Sequence, residues 1–375
     1  MIVAQVSVPV QHMSFRRGRG SVDRHSPTII QPLAPSTTSS SEAPRRTVQS
    51  FANCILAGDV GGTKTLLGLY APATRPVPIS VRRFATDPGS SLGAIVTAFL
   101  NDVGPHEPVA VVALGVAGPI VNGQARLTNH PWTIDGAAIA RTLGAPVHLL
   151  NDLEALAYSL DALQPHEVVP LHEGLPDPTG PKAVIAAGTG LGQAVLLRVN
   201  GQPLACPSEA GHADFGPRGP REDELVRVLR ARYGRATVEH VLSGPGLVNL
   251  HRLTHAEARC EATRGVDETD QPAAISAAAL GHRCRGCQEA LELFLSALGS
   301  EAGNLALRSL ATGGLYVGGG MAAHLEPALR SQGFLDAFLG KPPMESLLAR
   351  IPVRLVTKED AGLLGAAVAA QRHLR

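Results

Sequence analysis

Two glycine-rich segments decide the fold class of this chain. Residues 55–70 read ILAGDVGGTKTLLGLY, and residues 183–199 read AVIAAGTGLGQAVLLRV. In each segment an apolar run enters a Gly/Thr turn and continues as a second apolar run, which is typical of a β-hairpin. Because glycine has no Cβ, the backbone N–H groups of such a turn can approach an anion closely. The duplication predicts two similarly built α/β lobes that hold one ligand between them.

The composition excludes several classes of protein. The 375 residues contain 33 Lys and Arg against 32 Asp and Glu, for a net charge of +1. This balance provides no overall attraction to nucleic acid or to an anionic membrane, so we expect neither as a partner. The five cysteines do not suit a disulfide scaffold, and no apolar run reaches the roughly 18 residues of a membrane-spanning helix. We expect a soluble, cytoplasmic protein.

The chain divides into a tail and two lobes. Residues 1–53 are rich in Arg, Ser and Pro and lack an apolar period, which predicts a disordered basic tail. An organelle transit peptide has a similar composition and is the alternative interpretation. Residues 54–162 are predicted to form a small α/β lobe, completed by the C-terminal helix 358–375, and residues 163–357 a large α/β lobe. The patterns predict helices over 91–100, 153–160, 242–253 and 275–310, and strands over 109–116, 147–150 and 315–317.

Three glycine-rich turns are candidates for phosphate binding. The first, Gly61-Gly62-Thr63-Lys64, is not a Walker A loop, because Thr63 stands where that motif has Gly. The second is Gly188-Thr189-Gly190, and the third, Gly318-Gly319, follows a strand, where open α/β sheets bind ligands. The first two turns, one in each lobe, would suit a nucleotide triphosphate bound between the lobes. Asp59, at the end of the first strand, is a candidate ligand for a hydrated Mg²⁺, and Thr63 or Lys64 could contact a phosphoryl oxygen.

Several polar residues are candidates for catalysis and for binding of a polyhydroxylated ligand. Asn151 and Asp152 directly follow the strand over 147–150, where a general base would lie, although both residue types also cap helices. The loop SEAGHADFG over 208–216 contains Glu209 and His212, and Glu239 precedes a Gly/Pro turn. The spacing of these residues matches no zinc signature. Their side chains could instead hydrogen-bond the hydroxyl groups of a ligand.

Cys284 and Cys287 form a C-x-x-C pair with His282 nearby. A redox or zinc role needs a partner pair or a strand–helix context. Neither is evident from the sequence, so we expect these cysteines to be structural.

Taken in order, these segments resemble those of bacterial glucokinases. The resemblance also rests on TNHPW over 128–132, EHVLSGPG over 239–246 and GLLG over 362–365, and it extends from about Ile55 to near Ala370. It implies an actin-like ATPase (ribonuclease H-like) fold, in which a cleft between a small and a large domain holds sugar and ATP. It further implies ATP and Mg²⁺ as cofactors, glucose or a related hexose as substrate, and a homodimer.

The resemblance also implies a role for each matching residue. Asp152 would be the general base in phosphorylation of the sugar 6-hydroxyl. The sugar would be bound by Asn129, Asn151, Asp152, Glu209, His212 and Glu239. Phosphates would lie on the turns 61–63 and 188–190, with Gly318 and Gly319 on the adenosine side.

Two other interpretations remain besides a kinase for another hexose. The kinase fold also serves sugar-sensing transcription regulators, which would carry a helix-turn-helix before the first lobe, and the tail has no amphipathic period that would form one. A sugar-binding relative without catalysis is the other, although every matched polar residue is present.

Overall fold

The two Gly/Thr hairpins lie at corresponding positions in two mixed β-sheets. This computed structural model describes residues 53–87, 89–128, 130–255 and 259–374. Nearly all of the predicted tail, residues 1–52, and the candidate sugar ligand Asn129 lie outside those ranges. Within the ranges, no helix has both the length and the apolar character needed to span a bilayer.

The strands are β1 Cys54–Val60, β2 Lys64–Ala71, β3 Val77–Ala85, β4 Val109–Val116, β5 Ile120–Val121, β6 Gln124–Arg126, β7 Thr133–Asp135, β8 Val147–Asn151, β9 Val168–His172, β10 Lys182–Ala187, β11 Leu191–Val199, β12 Gln202–Ser208, β13 Gly314–Gly318 and β14 Val353–Val356. The helices are α1 Leu92–Val103, α2 Gly136–Leu143, α3 Asp152–Ser159, α4 Pro220–Tyr233, α5 Gly244–Thr254, α6 Gln271–Leu280, α7 Arg285–Ser309, α8 Gly320–His324, α9 Glu326–Leu329, α10 Gln332–Leu339, α11 Glu345–Leu348 and α12 Ala361–Gln371. Short 3₁₀ turns cover Pro165–Glu167, Ala210–His212 and Glu261–Thr263.

Both large sheets are built on one plan. The first has the order β3-β2-β1-β4-β8, and the second the order β12-β11-β10-β13-β14-β9. In each sheet, three consecutive strands form an antiparallel meander. On the other side of the first meander strand, the sheet adds two further strands that run parallel to it. The second sheet adds β9 as an antiparallel edge strand. The duplicated hairpin predicted from the sequence is therefore confirmed, as is the α/β class.

Helices α3 and α12 pack between the two sheets. Helix α12 contacts β1 and β4, α3 contacts β10, β11 and β12, and the two helices contact each other. Glycine makes this layer thin: a Cβ at Gly365 of α12 would lie 1.7 Å from the carbonyl oxygen of Ala155 in α3. A Cβ at Gly192 of β11 would likewise lie 2.3 Å from the side chain of Leu153. One buried apolar cluster therefore contains residues from both sheets and from both helices.

The single helix predicted over 275–310 is wrong, because the structure has two helices there. Helix α6 ends at Leu280, and α7 begins at Arg285. The break has the hydrogen bonds of a Schellman-type cap: Arg283 N–H donates to the Ala278 carbonyl and His282 N–H to the Ala279 carbonyl. His282 takes a left-handed φ of 53° at this cap. Glycine usually occupies that position, so the apolar pattern concealed the break.

We predict that Gly365→Ala lowers Tm by about 3 °C or more, because overpacking of about 1–3 kcal/mol corresponds to several degrees. Gly333→Ala in α10 is the matched control, since a Cβ there meets no atom within 4 Å, and its Tm should not fall. Thermal unfolding followed by circular dichroism measures both. An unchanged Tm in Gly365→Ala would contradict the close packing of α3 and α12.

Candidate active site

Two carboxylates lie at the carboxyl edge of the first sheet. Asp59 is near the end of β1, Asp152 begins α3 directly after β8, and β4 lies between these strands. Asp59 pairs with Gly115 of β4 in the sheet register. A Cβ at Gly115 would lie 2.9 Å from the Cβ of Ala155 and 3.8 Å from the Asp152 Cα. The glycine therefore lets α3 lie close against the strand ends.

Asp152 has a strongly perturbed pKa. Burial raises the pKa of this carboxyl to about 6, against the opposing hydrogen bond that the Leu153 N–H donates to Oδ1 at 2.9 Å. The negative charges of Asp59 and Glu209 raise it further. Near neutral pH the carboxylate is mostly ionised yet basic enough to accept a proton, which suits a general base.

The helix cap at this point belongs to the neighbouring residue. The Asn151 side-chain oxygen accepts from the Leu153 N–H at 2.9 Å, and the Asn151 N–H donates to Glu154 Oε2 at 3.3 Å. These two bonds form the capping box of α3. The sequence left helix capping and a general base as alternatives. Asn151 supplies the capping box, and Asp152, the candidate base, shares the Leu153 N–H with it.

The β1–β2 turn is held in shape by a residue that sequence reasoning missed. Within the turn, Gly61 N–H donates to the Lys64 carbonyl at 3.0 Å. Thr86, just after β3, donates its N–H to the Thr63 carbonyl at 3.1 Å and its hydroxyl to the Gly61 carbonyl at 2.9 Å. Thr63 and Lys64 themselves are exposed. Thr86 is distant in sequence from the turn and belongs to no motif, so only strand pairing reveals it.

The other two glycine turns meet at the end of the second sheet. Gly188 N–H donates to the Gly190 carbonyl at 2.9 Å, which closes the β10–β11 turn. Gly319, after β13, has a φ of 89°, and a Cβ there would lie 2.4 Å from the Ala187 carbonyl oxygen. Gly244, the first residue of α5, donates its N–H to the Gly188 carbonyl at 2.8 Å. The structure therefore brings Gly188, Gly319 and the start of α5 together.

Glu239 connects this turn to the loop that follows β12. Its Oε2 accepts from the Leu191 N–H at 2.9 Å, and its own N–H donates to the Gly211 carbonyl at 2.8 Å. A Cβ at Gly190 would lie 2.5 Å from the same Oε2. His212 Nδ1 is 4.0 Å from Glu239 Oε1, and His212 Nε2 is 3.9 Å from Glu209 Oε2. An imidazole between two carboxylates offers both donors and acceptors to hydroxyl groups.

The cluster of Glu209, His212 and Glu239 is accessible to a ligand. The side chains of Glu209 and His212 are 71% and 63% exposed, and that of Glu239 is 31% exposed. The charge of Glu209 also influences the pKa of Asp152. Glu209, one of the candidate sugar ligands, is therefore near enough to the candidate base for its charge to influence that base.

Asp59 fits a divalent cation. Burial raises the pKa of Asp59, Lys64 opposes this, and Asp360 adds to it. Helix α12 closes on the carboxylate, since a Cβ at Gly362 would lie 3.2 Å from Asp59 Oδ2. Mg²⁺ prefers carboxylate oxygens together with phosphate and water, and its charge would offset the cost of burying this group.

The family profile and the curated relatives of this chain agree on one family. The family profile "Glucokinase" matches residues 56–373. A curated glucokinase of Nostoc punctiforme is 38% identical over 339 residues, which cover 85% of this chain and 99% of that protein.

Two solved structures show the same fold. Glucokinase from an Antarctic psychrotroph has a TM-score of 0.75 and 30% identity, and the match covers 85% of this chain and 99% of that one. A glucokinase of the ROK family from Streptomyces griseus, solved with glucose and AMPPNP, has a TM-score of 0.56 and 20% identity, with coverage of 85% and 100%. These matches confirm the two-lobed actin-like fold expected from the sequence.

We predict that Asp152→Asn stabilises the protein at neutral pH. Because the folded state holds the Asp152 proton up to a pKa of about 6, against an ordinary value of 3.8, stability due to this group falls as pH rises between those values. The amide removes that penalty, so Tm should rise by about 2 °C or more at pH 7.5 and by less at about pH 4.5.

The matched control is Asp102→Asn, whose exposed pair with Arg82 contributes little, so Tm should stay within about 1 °C. Differential scanning calorimetry at the two pH values measures both variants. A lower Tm for Asp152→Asn at neutral pH would contradict the assigned burial cost.

Proposed function

This chain belongs to the glucokinase family, and we propose that it transfers the γ-phosphoryl group of ATP to the 6-hydroxyl of glucose with Asp152 as general base. The observation that carries the proposal is the Asp152 carboxyl, with its pKa near 6, at a strand end beside the candidate sugar ligands. Phosphoryl transfer requires mainly positioning of the reactants and stabilisation of charge.

The proposed sugar site supports glucose as the substrate. Asn151, Glu209, His212 and Glu239 offer amide, carboxylate and imidazole groups to hydroxyls, and Asn129 is proposed to complete the set. The curated Nostoc punctiforme relative is named a glucokinase. Asp152 would accept the proton of the attacking hydroxyl as the O–P bond forms.

The turns support ATP as the phosphoryl donor. Backbone N–H groups of the turns Gly61–Lys64 and Gly188–Gly190 would face phosphate oxygens, Thr63 or Lys64 would add a polar contact, and adenosine would lie beside Gly318 and Gly319. The Streptomyces griseus glucokinase with the same fold was solved with AMPPNP. Asp59 would hold Mg²⁺ through water, and the ion supplies neutralisation of phosphate charge when bound.

The proposed lobe boundaries follow the two sheets. Residues 54–162 with 358–375 would form the small lobe, since β1–β4 and β8 belong to one sheet and α12 packs on it. Residues 163–357 would form the large lobe around the second sheet. Closure of the lobes would exclude water, which otherwise competes as phosphoryl acceptor. A cytoplasmic homodimer remains part of the proposal.

We predict that Asp152→Ala and Asp152→Asn lower kcat by about 100-fold or more, because proton transfer to a positioned base contributes that much. Glucose affinity should change far less, as isothermal titration would measure.

The wild-type kcat/KM should fall as pH drops through about 6, where Asp152 becomes protonated. Asp102→Asn serves again as the control. More than a tenth of wild-type turnover in Asp152→Asn would refute the role of this residue.

We predict that Glu239→Gln raises KM for glucose by about tenfold or more, because a charge-assisted hydrogen bond to a hydroxyl contributes about 1.5–3 kcal/mol. Steady-state kinetics with a coupled assay of ADP release would measure it, with glucose, mannose, fructose and glucosamine compared for the wild type. Glucose should have the highest kcat/KM. A faster reaction with another hexose would identify a different hexose kinase, and no ADP release with any sugar would identify a sugar-binding relative.

A further inference from the structure

Three cysteines and two histidines converge in the helical layer of the second half of the chain. His251 lies in α5, His255 directly after it, and Cys260 just before the 3₁₀ turn Glu261–Thr263. Cys284 caps the N-terminus of α7, and Cys287 lies in its first turn. The ligand atoms of His251, His255, Cys260 and Cys287 all lie within 4.8 Å of one another. The C-x-x-C pair therefore has partners that the sequence alone did not show.

We propose that Cys260, Cys284, Cys287 and His255 bind one Zn²⁺ in a tetrahedral site. The Cys260 sulfur is 3.9 Å from the Cys284 sulfur and 3.6 Å from the Cys287 sulfur, and His255 Nε2 is 3.2 Å from the Cys284 sulfur. With Zn–S about 2.3 Å and Zn–N about 2.0–2.1 Å, a tetrahedron separates two sulfurs by about 3.8 Å and sulfur from nitrogen by about 3.5 Å. The observed spacings lie close to these values.

His255 is oriented as a zinc ligand would be. Its Nδ1 is 3.0 Å from the His251 carbonyl oxygen, so Nδ1 carries the proton and Nε2 presents its lone pair to the cysteines. Thr254 donates its hydroxyl to the Gly286 carbonyl at 2.8 Å, which ties the end of α5 to the start of α7. Gly286 makes room for the ring, because a Cβ there would lie 2.5 Å from His255 Cε1.

His251 is a second candidate for the nitrogen ligand of this site. This side chain is 7% exposed, and its Nε2 has no hydrogen-bond partner among the described residues. Its ring stacks on that of His255 with centroids 4.0 Å apart. A buried ring nitrogen without a partner is costly unless something binds there. His251 is therefore an alternative nitrogen ligand, which the experiment below separates from His255.

A metal accounts for this cluster better than a disulfide. The Cys260 sulfur lies 3.6 and 3.9 Å from the other two sulfurs, both beyond a disulfide bond of about 2.05 Å. One disulfide among the three cysteines would also leave a third thiol unused. Four protein ligands without an open position make a structural site. The metal would join the end of α5 to the start of α7, and the other end of α5 contacts the Gly188 turn through Gly244.

The test is the zinc content of the full chain purified under reducing conditions, measured by inductively coupled plasma mass spectrometry. About one zinc per chain is expected, with less than about a tenth in Cys260→Ser, Cys284→Ser and His255→Ala. Cys206→Ser is the matched control, because Cys206 lies in β12 outside the cluster, and it should keep its zinc. His251→Ala should also keep it. Loss in His251→Ala with retention in His255→Ala would overturn the assigned ligand set.

A second measurement uses the wild-type chain and so does not depend on the folding of any variant. Replacement of zinc by Co²⁺ should produce thiolate charge-transfer bands and the visible bands of a tetrahedral site, and a chelator should abolish them and lower Tm. The proposal fails if apoprotein with all five thiols free by alkylation and mass spectrometry binds neither Zn²⁺ nor Co²⁺. It also fails if two of the three cysteines are found in a disulfide under reducing conditions.

Discussion

The close packing of α12 against α3 joins the two large sheets of this protein. Without a Cβ at Gly365, the last helix can lie on the backbone of α3 and contact β1 and β4 at the same time. That position brings Gly362 against Asp59, while α3 begins with Asp152. A side chain at Gly365 would force the two helices apart and would shift Gly362 from its place against Asp59.

Burial of carboxylates, which outweighs the opposing charge of Lys64 at Asp59, determines the electrostatics of that site. The net charge of +1 already indicated that the chain as a whole has no strong attraction for an anionic ligand. Instead, backbone N–H groups of glycine turns are available for phosphate, and buried carboxylates have raised pKa values. Such groups reduce stability when ionised in the free protein, and a bound cation or substrate would offset that cost. A loss of stability of this kind is common at functional sites.

The agreement between sequence and structure depended on whether a pattern was local. The hairpins around Gly61 and Gly188 followed from alternating apolar runs and glycine, which act within a few residues. The strand over 109–116 was predicted with its observed bounds for the same reason. The prediction of one helix over 275–310 was wrong because His282 occupies a left-handed cap position that glycine usually takes. Cys284 and Cys287 looked isolated because Cys260 and His255 are separated from them along the chain.

The sequence by itself determined the α/β class, the duplicated hairpin and the polar residues at the strand ends, because these depend on local propensity and on residue chemistry. Which of those residues contact one another became evident from the folded arrangement. Strand pairing placed Thr86 on the first turn, the contact between Leu191 and Glu239 joined the second turn to the polar loop, and burial raised the pKa of Asp152. The physical reason is that contact and desolvation depend on neighbours in space, and residues far apart along the chain supply those neighbours.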